Sequence, residues 1–360
     1  MAEYPLLAEV QVLPVIASPR RIGYRARVKL VVRKNRGQVA VGLYAPHSHR
    51  VIDISACPVH PQPVNQVVFY LKKKILELGI VPYDERDDSG DLRYLDFRYS
   101  VSRRELSVTL VTRHNSFPQG QLIARALLDR FRFITGVIQN TNEERGNVIW
   151  GKNFRTLGGR DTIMERVGDL KLVFPPAVFS QANPYTARKV YEHVSALAGL
   201  QGSETVLDLY CGVGPMALLL AEQARQVWAI DGSEPAITAA KQNARRNGRG
   251  NCRFIAGEVG AQASQLQQSL SNVDLAVLNP PRKGIQPAAL AALLKFNASK
   301  LIYVSCEPRS LARDFDALIT AGYRVARIQP FDMFPQTEEV ESVALLTKSA
   351  DASSADSARI

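Results

Sequence analysis

The sequence is poor in cysteine, and no segment of it has the pattern of a targeting signal or a membrane span. Its 360 residues include four cysteines, which are widely separated and show neither the pair spacing of a zinc site nor that of a disulfide framework: Cys57, Cys211, Cys252 and Cys306. The apolar opening lacks a basic start and is interrupted by Glu3 and Glu9, unlike a signal peptide. No apolar run approaches the length of a membrane-spanning helix. We therefore expect a cytoplasmic protein with reduced thiols and no membrane partner.

Acidic residues are absent from one long stretch. Between Ser18 and Gln38 there is no Asp or Glu. The same stretch carries eight cations: Arg20, Arg21, Arg25, Arg27, Lys29, Arg33, Lys34 and Arg36. The whole chain has 45 Lys and Arg residues against 34 Asp and Glu, which gives a formal net charge of +11. This balance suits a polyanionic partner such as nucleic acid, although solubility or a solvated strand face would produce the same composition.

The pattern of the chain changes near its middle. Up to Gly168, short β-branched or aromatic runs and helical patterns at 63–78 and 120–131 predict an antiparallel α+β region. After Gly202, apolar strands alternate with alanine-rich helices, which predicts a parallel sheet with crossover helices. Two final strands, at 324–331 and 340–347, predict an antiparallel hairpin. We expect an α+β region at 1–175, a doubly wound α/β domain at 176–347 and a disordered tail at 348–360.

A glycine turn follows the first strand of the doubly wound half. Gly212 and Gly214 would let a ligand approach the backbone at the carboxyl end of that strand. Asp231 ends the next strand, where a carboxylate can accept both ribose hydroxyls of a nucleoside cofactor, and Glu258 follows the third strand as a candidate adenine contact. A nicotinamide dinucleotide is the rival ligand, but the third glycine of that fingerprint is missing. S-adenosylmethionine, which has no phosphate, fits better.

Two further strand ends carry candidate chemistry. The fourth strand ends in Asn279-Pro280-Pro281-Arg282-Lys283-Gly284 and the fifth in Ser305-Cys306-Glu307-Pro308. The carboxyl ends of parallel strands meet at one edge of a sheet, so both segments should face the cofactor. A cysteine is more often a buried, inert residue, but Cys306 stands where a helix begins, and helix N-terminal amides favour a thiolate.

Five ordered motifs resemble the RNA uridine carbon-5 methyltransferase family, which has tRNA and 23S ribosomal RNA members. The matching segments are Phe179-Ser180-Gln181-Ala182-Asn183-Pro184, Asp208-Leu209-Tyr210-Cys211-Gly212-Val213-Gly214, Asn279-Pro280-Pro281-Arg282-Lys283-Gly284, Tyr303-Val304-Ser305-Cys306-Glu307-Pro308 and Met333-Phe334-Pro335-Gln336-Thr337 through Glu341. The resemblance covers about 19–347, including Gly23-Tyr24-Arg25-Ala26-Arg27 near its start. Five motifs in one order are far more specific than any one of them.

The resemblance implies a fold, a reaction and a set of site residues. It implies a Rossmann-like class I methyltransferase domain with a mixed, mostly parallel seven-stranded sheet, preceded by an α+β RNA-binding region. It implies that S-adenosylmethionine donates a methyl group to carbon 5 of a uridine in structured RNA. Cys306 is then the nucleophile and Glu341 the base. The cofactor-binding residues it implies, together with those of the glycine turn, are Gln181, Tyr210, Gly212, Gly214, Asp231, Glu258 and Asn279.

The resemblance also directs the substrate predictions. Asn279 stands where most of the family has Asp, and the branch that modifies a hairpin loop of 23S ribosomal RNA shares Asn, so we expect a 23S target, with tRNA as the alternative. Arg282 is a candidate substrate contact. The basic stretch would grip RNA through phosphate contacts and stacking, and the residues predicted to do so are Tyr24, Arg25, Arg27 and Lys29. No obligate protein partner is inferred.

Several positions depart from the family pattern. Glu307 replaces the usual Asn, and Ser180 a usual Phe. Ribosomal RNA members commonly hold an iron–sulfur cluster on four cysteines, of which only Cys57 has a counterpart here, so we do not expect a cluster. Two other functions remain open: an amino-group methyltransferase, although Arg282 occupies its aromatic position, and an RNA-binding factor without catalysis, against which Cys306, Asp231 and Glu341 argue.

Overall fold

The computed structural model describes residues 4–35, 37–146, 148–270 and 272–348. These form two compact units. Unit 1 comprises Met1–Pro19, Val167–Leu172 and Tyr185–Ile360, and unit 2 comprises Arg20–Arg166 and Val173–Pro184. The sequence predicts a single boundary at residue 175, whereas 167–172 group with unit 1 and 173–184 with unit 2, and the described residues before Arg20 also group with unit 1. Lys348, the first residue of the predicted tail, lies in a strand, and Arg36 and 349–360 lie outside the described residues.

Unit 2 is built on a seven-stranded sheet. Its strands are β1 (Arg27–Asn35), β2 (Gln38–Tyr44), β3 (Val51–Asp53), β4 (Leu92–Ser100), β5 (Glu105–Thr112), β6 (Ile134–Thr141) and β7 (Asn153–Gly159). Their order in the sheet is β3-β2-β1-β4-β5-β6-β7. The predicted antiparallel arrangement is wrong for one pair, since β5 and β6 run parallel. A helix, α2 (Gln119–Arg130), connects these two strands, as a parallel pair requires.

Two helices cover one face of this sheet. The first, α1 (Gln62–Glu77), buries its residues at 64, 67, 68, 71 and 75, the spacing of one helical face. Ile123 and Leu127 of α2 join the same core, which also includes Leu95 and Val108 of the sheet. The predicted helices at 63–78 and 120–131 are therefore confirmed to within a residue or two at each end. Their outer faces remain exposed.

The opposite face of the sheet holds the segment Val173–Pro184 through buried arginines. Arg27 donates from Nη1 to the carbonyl oxygen of Val178 at 2.7 Å and from Nη2 to that of Ala177 at 3.2 Å. Its Nε lies 3.7 Å from Oδ1 of Asp96, and the Arg27 side chain is only 10% exposed. Arg98 donates to the carbonyl oxygen of Pro175 at 2.8 Å. Arg27 is thus part of the internal structure of unit 2.

Unit 1 has a second seven-stranded sheet. Its strands are β10 (Thr205–Leu209), β11 (Gln226–Asp231), β12 (Cys252–Ala256), β13 (Leu275–Leu278), β14 (Lys300–Ser305), β15 (Tyr323–Phe331) and β16 (Glu341–Lys348). A separate ribbon pairs β8 (Ile163–Val167) with β9 (Leu170–Phe174). The order in the large sheet is β12-β11-β10-β13-β14-β16-β15. The first five strands are parallel, and β16 pairs antiparallel with both β14 and β15, as the predicted final hairpin requires.

Six helices accompany these strands: α3 (Pro184–Ala198), α4 (Pro215–Leu220), α5 (Glu234–Arg246), α6 (Val259–Gln267), α7 (Pro287–Phe296) and α8 (Pro308–Thr320). The alanine-rich helices that the sequence predicts after Gly202, at 215–223, 235–247, 287–296 and 309–321, correspond to α4, α5, α7 and α8, whereas α3 and α6 are not predicted. The helix α6 buries only four residues, so its apolar periodicity is weak. It nevertheless packs on α7 and contributes Val259, Ala263 and Leu266 to the core of unit 1.

The beginning of the chain extends this sheet. Val12 bridges to Ile328 and Ile16 to Phe331, both in parallel orientation, on the edge strand β15. The Ile16 amide donates to the carbonyl oxygen of Pro330 at 2.9 Å. These bonds cover backbone groups that an open sheet edge would leave unpaired. Within the described residues, no helix is both long and apolar enough to cross a membrane.

We expect Arg27→Ala to destabilise the protein rather than only weaken its binding to RNA. The substitution removes a charged donor from two carbonyl oxygens and leaves Asp96 buried without that partner. Hydrogen bonds to charged groups contribute about 1.5–3 kcal/mol each, so the free energy of unfolding should fall by an amount of this order. Urea unfolding would measure the change. Lys34→Ala, at the exposed end of the same strand, is the control, and equal stability of the two variants would contradict this role.

Candidate active site

The predicted site residues of unit 1 lie at or just after the carboxyl ends of five neighbouring strands. The strand β10 lies between β11 and β13, so the chain order of the strands reverses at β10. Such a reversal opens a crevice beyond the carboxyl ends of the strands, where open α/β sheets bind ligands. Tyr210, Asn279 and Cys306 come directly after β10, β13 and β14, Asp231 is the last residue of β11, and Glu258 lies two residues after the end of β12. These five residues therefore lie at the same end of the sheet.

The turn after β10 has an unusual backbone. Tyr210 has φ of 65°, in the left-handed region that residues with a Cβ rarely adopt, and Gly212 and Gly214 have φ of 57° and 85°. A Cβ on Gly214 would lie 3.0 Å from the ring of Phe254, whereas no atom lies within 4 Å of the Cβ position on Gly212. Glycine is required at Gly214 for packing and backbone shape, while Gly212 leaves open space beside the turn.

Asp231 is held by the same turn. Its Oδ2 accepts a hydrogen bond from the Gly212 amide at 2.8 Å, and its Oδ1 accepts one from the Ser233 amide at 2.8 Å. The Ser233 hydroxyl in turn caps α5 by accepting from Ala236. Each carboxylate oxygen keeps a further lone pair. A carboxylate fixed in this way is positioned to accept hydrogen bonds from two adjacent hydroxyl groups.

A second carboxyl group, Asp208, lies beneath the turn and was not among the predicted site residues. It is fully buried, and burial raises its pKa to about 8, with the charge of Asp231 contributing in the same direction. The nearby Ala217 amide lowers the pKa of Asp208 by a smaller amount. Neither carboxyl oxygen of Asp208 has a hydrogen-bond partner of normal geometry among the described residues. Asp208 is therefore mostly protonated at neutral pH.

Glu258 and Asn279 are fixed by backbone contacts. Glu258 is the N-cap of α6, and its two oxygens accept from the amides of Gly260 at 2.9 Å and Ala261 at 2.7 Å. Capping a helix is thus an observed role of Glu258 beside the predicted adenine contact. Asn279 is half-buried, and its amide donates to the carbonyl oxygen of Leu209 at 3.2 Å, which ties the end of β13 to the end of β10.

Strand pairing brings Cys306 and Glu341 together. Ser305, the last residue of β14, pairs with Ser342 of β16, and the antiparallel register places the preceding residue, Glu341, opposite Cys306. Glu341 also pairs with Phe331 of β15. The side chain of Glu341 lies in the interior, with 3% exposure, and burial raises its pKa to about 7. A carboxyl group with such a pKa can accept or release a proton near neutral pH.

The Cys306 thiol has a raised pKa, contrary to the expectation from its place before a helix. Burial is the largest cause, and the neighbouring charge of Glu341 adds to it. Arg282 opposes this shift through its charge and a hydrogen bond to the sulfur. The helix α8 begins with a cap from Glu307, whose side chain accepts from the Arg309 amide at 3.2 Å. Capping is thus an observed role of the residue that replaces the family Asn.

Arg282 has a second partner that the sequence did not single out. Its Nη2 donates a hydrogen bond to Oε2 of Glu339. The pair is substantially exposed to solvent, with side-chain exposures of 60% and 40%. The guanidinium of Arg282 therefore contacts Cys306 on one side and Glu339 on the other. Arg282 thus places a positive charge beside the candidate nucleophile, Cys306.

The loop that carries Arg282 is anchored from the core. Asp314 of α8 is buried, and its Oδ2 accepts from the Ile285 amide at 2.7 Å and from the Tyr303 hydroxyl at 2.6 Å. A Cβ on Gly284 would lie 2.4 Å from that carboxylate oxygen, so the closing glycine of the loop permits the close approach. The end of β13 is thus linked to β14 and α8, which present Cys306.

Most of the chain matches one family model. A family model described as tRNA (Uracil-5-)-methyltransferase matches residues 8–349. The chain belongs to this family. An RNA methyltransferase of Geobacter sulfurreducens is 38% identical over 345 residues, which are 96% of this chain and 70% of that protein. One of Clostridium tetani is 34% identical over 343 residues, or 95% of this chain and 75% of that protein. As a family member, the protein is a S-adenosylmethionine-dependent RNA methyltransferase.

A solved structure supports the same assignment. The chain is similar to the tRNA (uracil-54, C5)-methyltransferase of Pyrococcus abyssi, solved in complex with S-adenosyl-L-homocysteine. The TM-score is 0.76 with 29% sequence identity, and the match covers 95% of this chain and 80% of that one. The predicted Rossmann-like methyltransferase fold, with its mixed seven-stranded sheet, is confirmed.

The remaining predicted site residues of this methyltransferase lie in unit 2. Gln181 is half-buried in the segment Val173–Pro184, and Arg25 and Lys29 are half-buried near and on β1. Tyr24 is 1% exposed, so the prediction that it stacks on an RNA base is wrong for this conformation. Arg27 donates to two carbonyl oxygens, as described above, and its contact with phosphate stays a prediction.

The cysteines are all free thiols. Cys57 is half-buried, whereas Cys211 and Cys252 are buried. Burial is the largest cause of the raised pKa of the thiols of both Cys211 and Cys252. Within the described residues, no group of three or more His, Cys, Asp or Glu side chains is arranged to hold a metal ion. Cys306 is half-buried and interacts with both Glu341 and Arg282.

We expect Asp231→Ala to weaken the binding of S-adenosylmethionine by roughly tenfold to a hundredfold, because a charged acceptor of two hydroxyl groups is lost. Calorimetric titration would measure the affinity. Glu234→Ala removes a nearby exposed carboxylate at the start of α5 and is the matched control. Binding of RNA should change little in either variant. Equal cofactor affinity for Asp231→Ala and the unchanged protein would exclude the ribose contact.

Proposed function

We propose that this methyltransferase modifies carbon 5 of a uridine in structured RNA through a covalent adduct with Cys306, with Glu341 as the base. The observation that carries the proposal is the pairing of β14 with β16, which sets a buried carboxyl group opposite a half-buried thiol. This pair lies at the same sheet edge as the glycine turn and Asp231. Neither an amino-group methyltransferase nor a non-catalytic factor would need such a pair.

The turn after β10 fits S-adenosylmethionine. Asp231 offers two oriented oxygens to a ribose, and the open space beside Gly212 admits a ligand against the backbone. Tyr210, Glu258 and Asn279 lie at or near the ends of strands β10, β12 and β13, and we propose that they line the same site. The bound cofactor would supply a methyl group with electrophilic character.

Carbon 5 of uracil needs activation before it can accept a methyl group, because conjugation ties up the electrons of the ring. The Cys306 thiolate adds to carbon 6 and forms a carbon–sulfur bond, and the electron pair moves through carbon 5 to the carbonyl oxygen. Arg282, next to the sulfur, favours the charged form of the thiol. The resulting enolate would form a bond from carbon 5 to the methyl carbon, while the bond between that carbon and the cofactor sulfur would break and S-adenosylhomocysteine would be left.

Glu341 then completes the reaction. Carbon 5 carries both the methyl group and its original proton, so the ring cannot regain its double bond until a base takes that proton. The ionised Glu341 carboxylate accepts it, the electron pair restores the carbon 5–carbon 6 bond, and the sulfur leaves as thiolate. Burial raises the pKa of Glu341 to about 7, which makes it a stronger base than an exposed carboxylate. The proton passes afterwards to solvent, and the thiolate is ready again.

The substrate that we propose first is 23S ribosomal RNA, on the basis of Asn279. A tRNA is the second candidate, because the Pyrococcus abyssi enzyme of similar fold acts on tRNA uracil 54. In either case the target base must leave its stack to reach Cys306. We propose that unit 2 holds the surrounding RNA, with Arg25 and Lys29 as phosphate contacts. A cytoplasmic location follows from such substrates.

We expect Cys306→Ala to abolish methyl transfer to RNA while leaving the fold and cofactor binding intact, because carbon 5 loses its route to activation. Transfer of labelled methyl groups to unmodified 23S ribosomal RNA and to unmodified tRNA, followed by analysis for 5-methyluridine, measures the activity and separates the two substrates. Cys211→Ala is the matched control, since this buried thiol lies in the cofactor turn, and it should retain activity. Substantial 5-methyluridine from Cys306→Ala would refute covalent catalysis.

We expect Glu341→Gln to stop the reaction after methyl transfer and accumulate a protein–RNA adduct. The variant keeps Cys306 but cannot take the proton from carbon 5. A species of reduced gel mobility should survive denaturation, require S-adenosylmethionine and vanish when Cys306 is also replaced. In the unchanged enzyme, turnover should slow as the pH falls below about 7, because Glu341 becomes protonated. Normal turnover by Glu341→Gln would move the base to Glu338 or Glu339.

A further inference from the structure

A groove on the helical face of unit 2 lies outside the site described above. It has a volume of about 460 Å³, within the usual range of small-ligand pockets. Its lining consists of three aromatic rings, two cations and one amide: Phe69, Tyr70, Phe131, Lys73, Arg130 and Gln66. Four of these residues belong to α1, and two stand at the end of α2. None of the lining residues is acidic.

The rings of this groove are arranged as a platform. Tyr70 and Phe131 are in edge contact, with centroids 5.4 Å apart and an interplanar angle of 85°. Phe69 beside them is 55% exposed, which is unusual for a large apolar side chain. Because the core of unit 2 is already filled by Val67, Val68 and Leu71 of the same helix, Phe69 is not needed there. An exposed ring at the edge of an aromatic pair can accept a planar ligand on its face.

The cations of the groove stand against these rings. The Lys73 ammonium is 4.5 Å from the centroid of Phe69, and the Arg130 guanidinium carbon is 5.1 Å from that of Tyr70. Among the described residues, neither cation has a carboxylate within ion-pair distance. Their neighbours do: Lys72 lies 2.5 Å from Asp53, and Lys74 lies 2.6 Å from Glu77. The two lysines next to Lys73 in the sequence are therefore ion-paired, whereas Lys73 itself is not among the ion pairs of the described residues.

We propose that this groove binds unpaired nucleotides of the RNA substrate, with a base stacked on Phe69 and phosphates next to Lys73 and Arg130. Base stacking on aromatic rings beside basic side chains is the general way in which proteins hold single-stranded RNA, and it tolerates any base. The proposal rests on the proposed function in that the ligand is the RNA to be methylated. It adds a second contact, on the helical face of the unit, away from the sheet face that carries Lys29.

The contributions of base stacking and of phosphate contacts can be distinguished by measuring RNA binding at different salt concentrations. Binding of a fluorescent oligouridine to the full protein is followed by anisotropy over a range of salt concentrations. Phe69→Ala should weaken binding about tenfold and leave the slope of log affinity against log salt unchanged, because stacking releases no counterions. Replacing Lys73 and Arg130 together by Gln should reduce that slope by about 0.7 for each lost phosphate contact. A blunt RNA duplex should respond much less to Phe69→Ala.

The same two helices supply matched controls. Leu76→Ala removes an equally exposed apolar side chain of α1 outside the groove, and replacing Lys72 and Lys74 by Gln removes two charges that already have partners. Equal oligouridine affinity for Phe69→Ala and Leu76→Ala, or equal salt slopes for the two double variants, overturns the proposal. So does loss of binding to a polyglutamate probe with oligouridine binding retained, which would assign the groove to an acidic protein.

Methylation assays keep this result distinct from the proposed function. If the groove holds RNA away from the reacting uridine, its variants should raise KM for RNA and keep kcat, since Cys306 and Glu341 are untouched. A failure of the unchanged enzyme to form 5-methyluridine would count against the proposed function alone, because the oligouridine experiment does not depend on methyl transfer. A loss of kcat with unchanged KM in the groove variants would contradict a binding role.

Discussion

The position of β16 between β14 and β15 is the constraint on which the candidate active site depends. Strand pairing in one register fixes Ser342 against Ser305, and the residues just beyond, Glu341 and Cys306, are brought together at the end of the sheet. A shift of the register by one residue would turn the Glu341 side chain to the other face. The chemistry of the site therefore depends on backbone hydrogen bonds, which also stabilise the sheet.

Burial near this sheet edge changes the protonation of several acidic groups in the same direction. Asp208, Glu341 and the Cys306 thiol all have a raised pKa, and burial is the largest cause for each. For the Cys306 thiol the opposing charge is that of Arg282, which is exposed and is also paired with Glu339. The Glu341 carboxyl group can take up or release a proton near neutral pH. The same burial makes folding less favourable as the pH rises, because the unfolded chain releases the protons of these carboxyl groups at a lower pH than the folded protein does.

The cationic side chains on the two faces of the sheet of unit 2 have different partners. Arg27 and Arg98 are buried on one face and donate to main-chain carbonyl oxygens, so their charge shapes the segment that contains Gln181. On the other face, Lys73 and Arg130 lie over aromatic rings at the surface. A high count of basic residues does not by itself distinguish these roles, because an arginine can satisfy a buried carbonyl as well as a phosphate.

The sequence determined the doubly wound fold, the order of its main elements and the positions of the glycine turn and Cys306, because these follow from local patterns: apolar strands of period two, helices of period 3.6 and glycines at strand ends. It missed α6, whose apolar face is short, and the parallel pairing of β5 with β6. It also misplaced Tyr24 at the surface, because a run of basic residues does not show which of the side chains within it are buried. The burial that raises the pKa of Glu341 and the link from Arg282 to Glu339 come from segments far apart in the chain. Only the tertiary structure decided them, because burial and charge pairing depend on which distant segments meet.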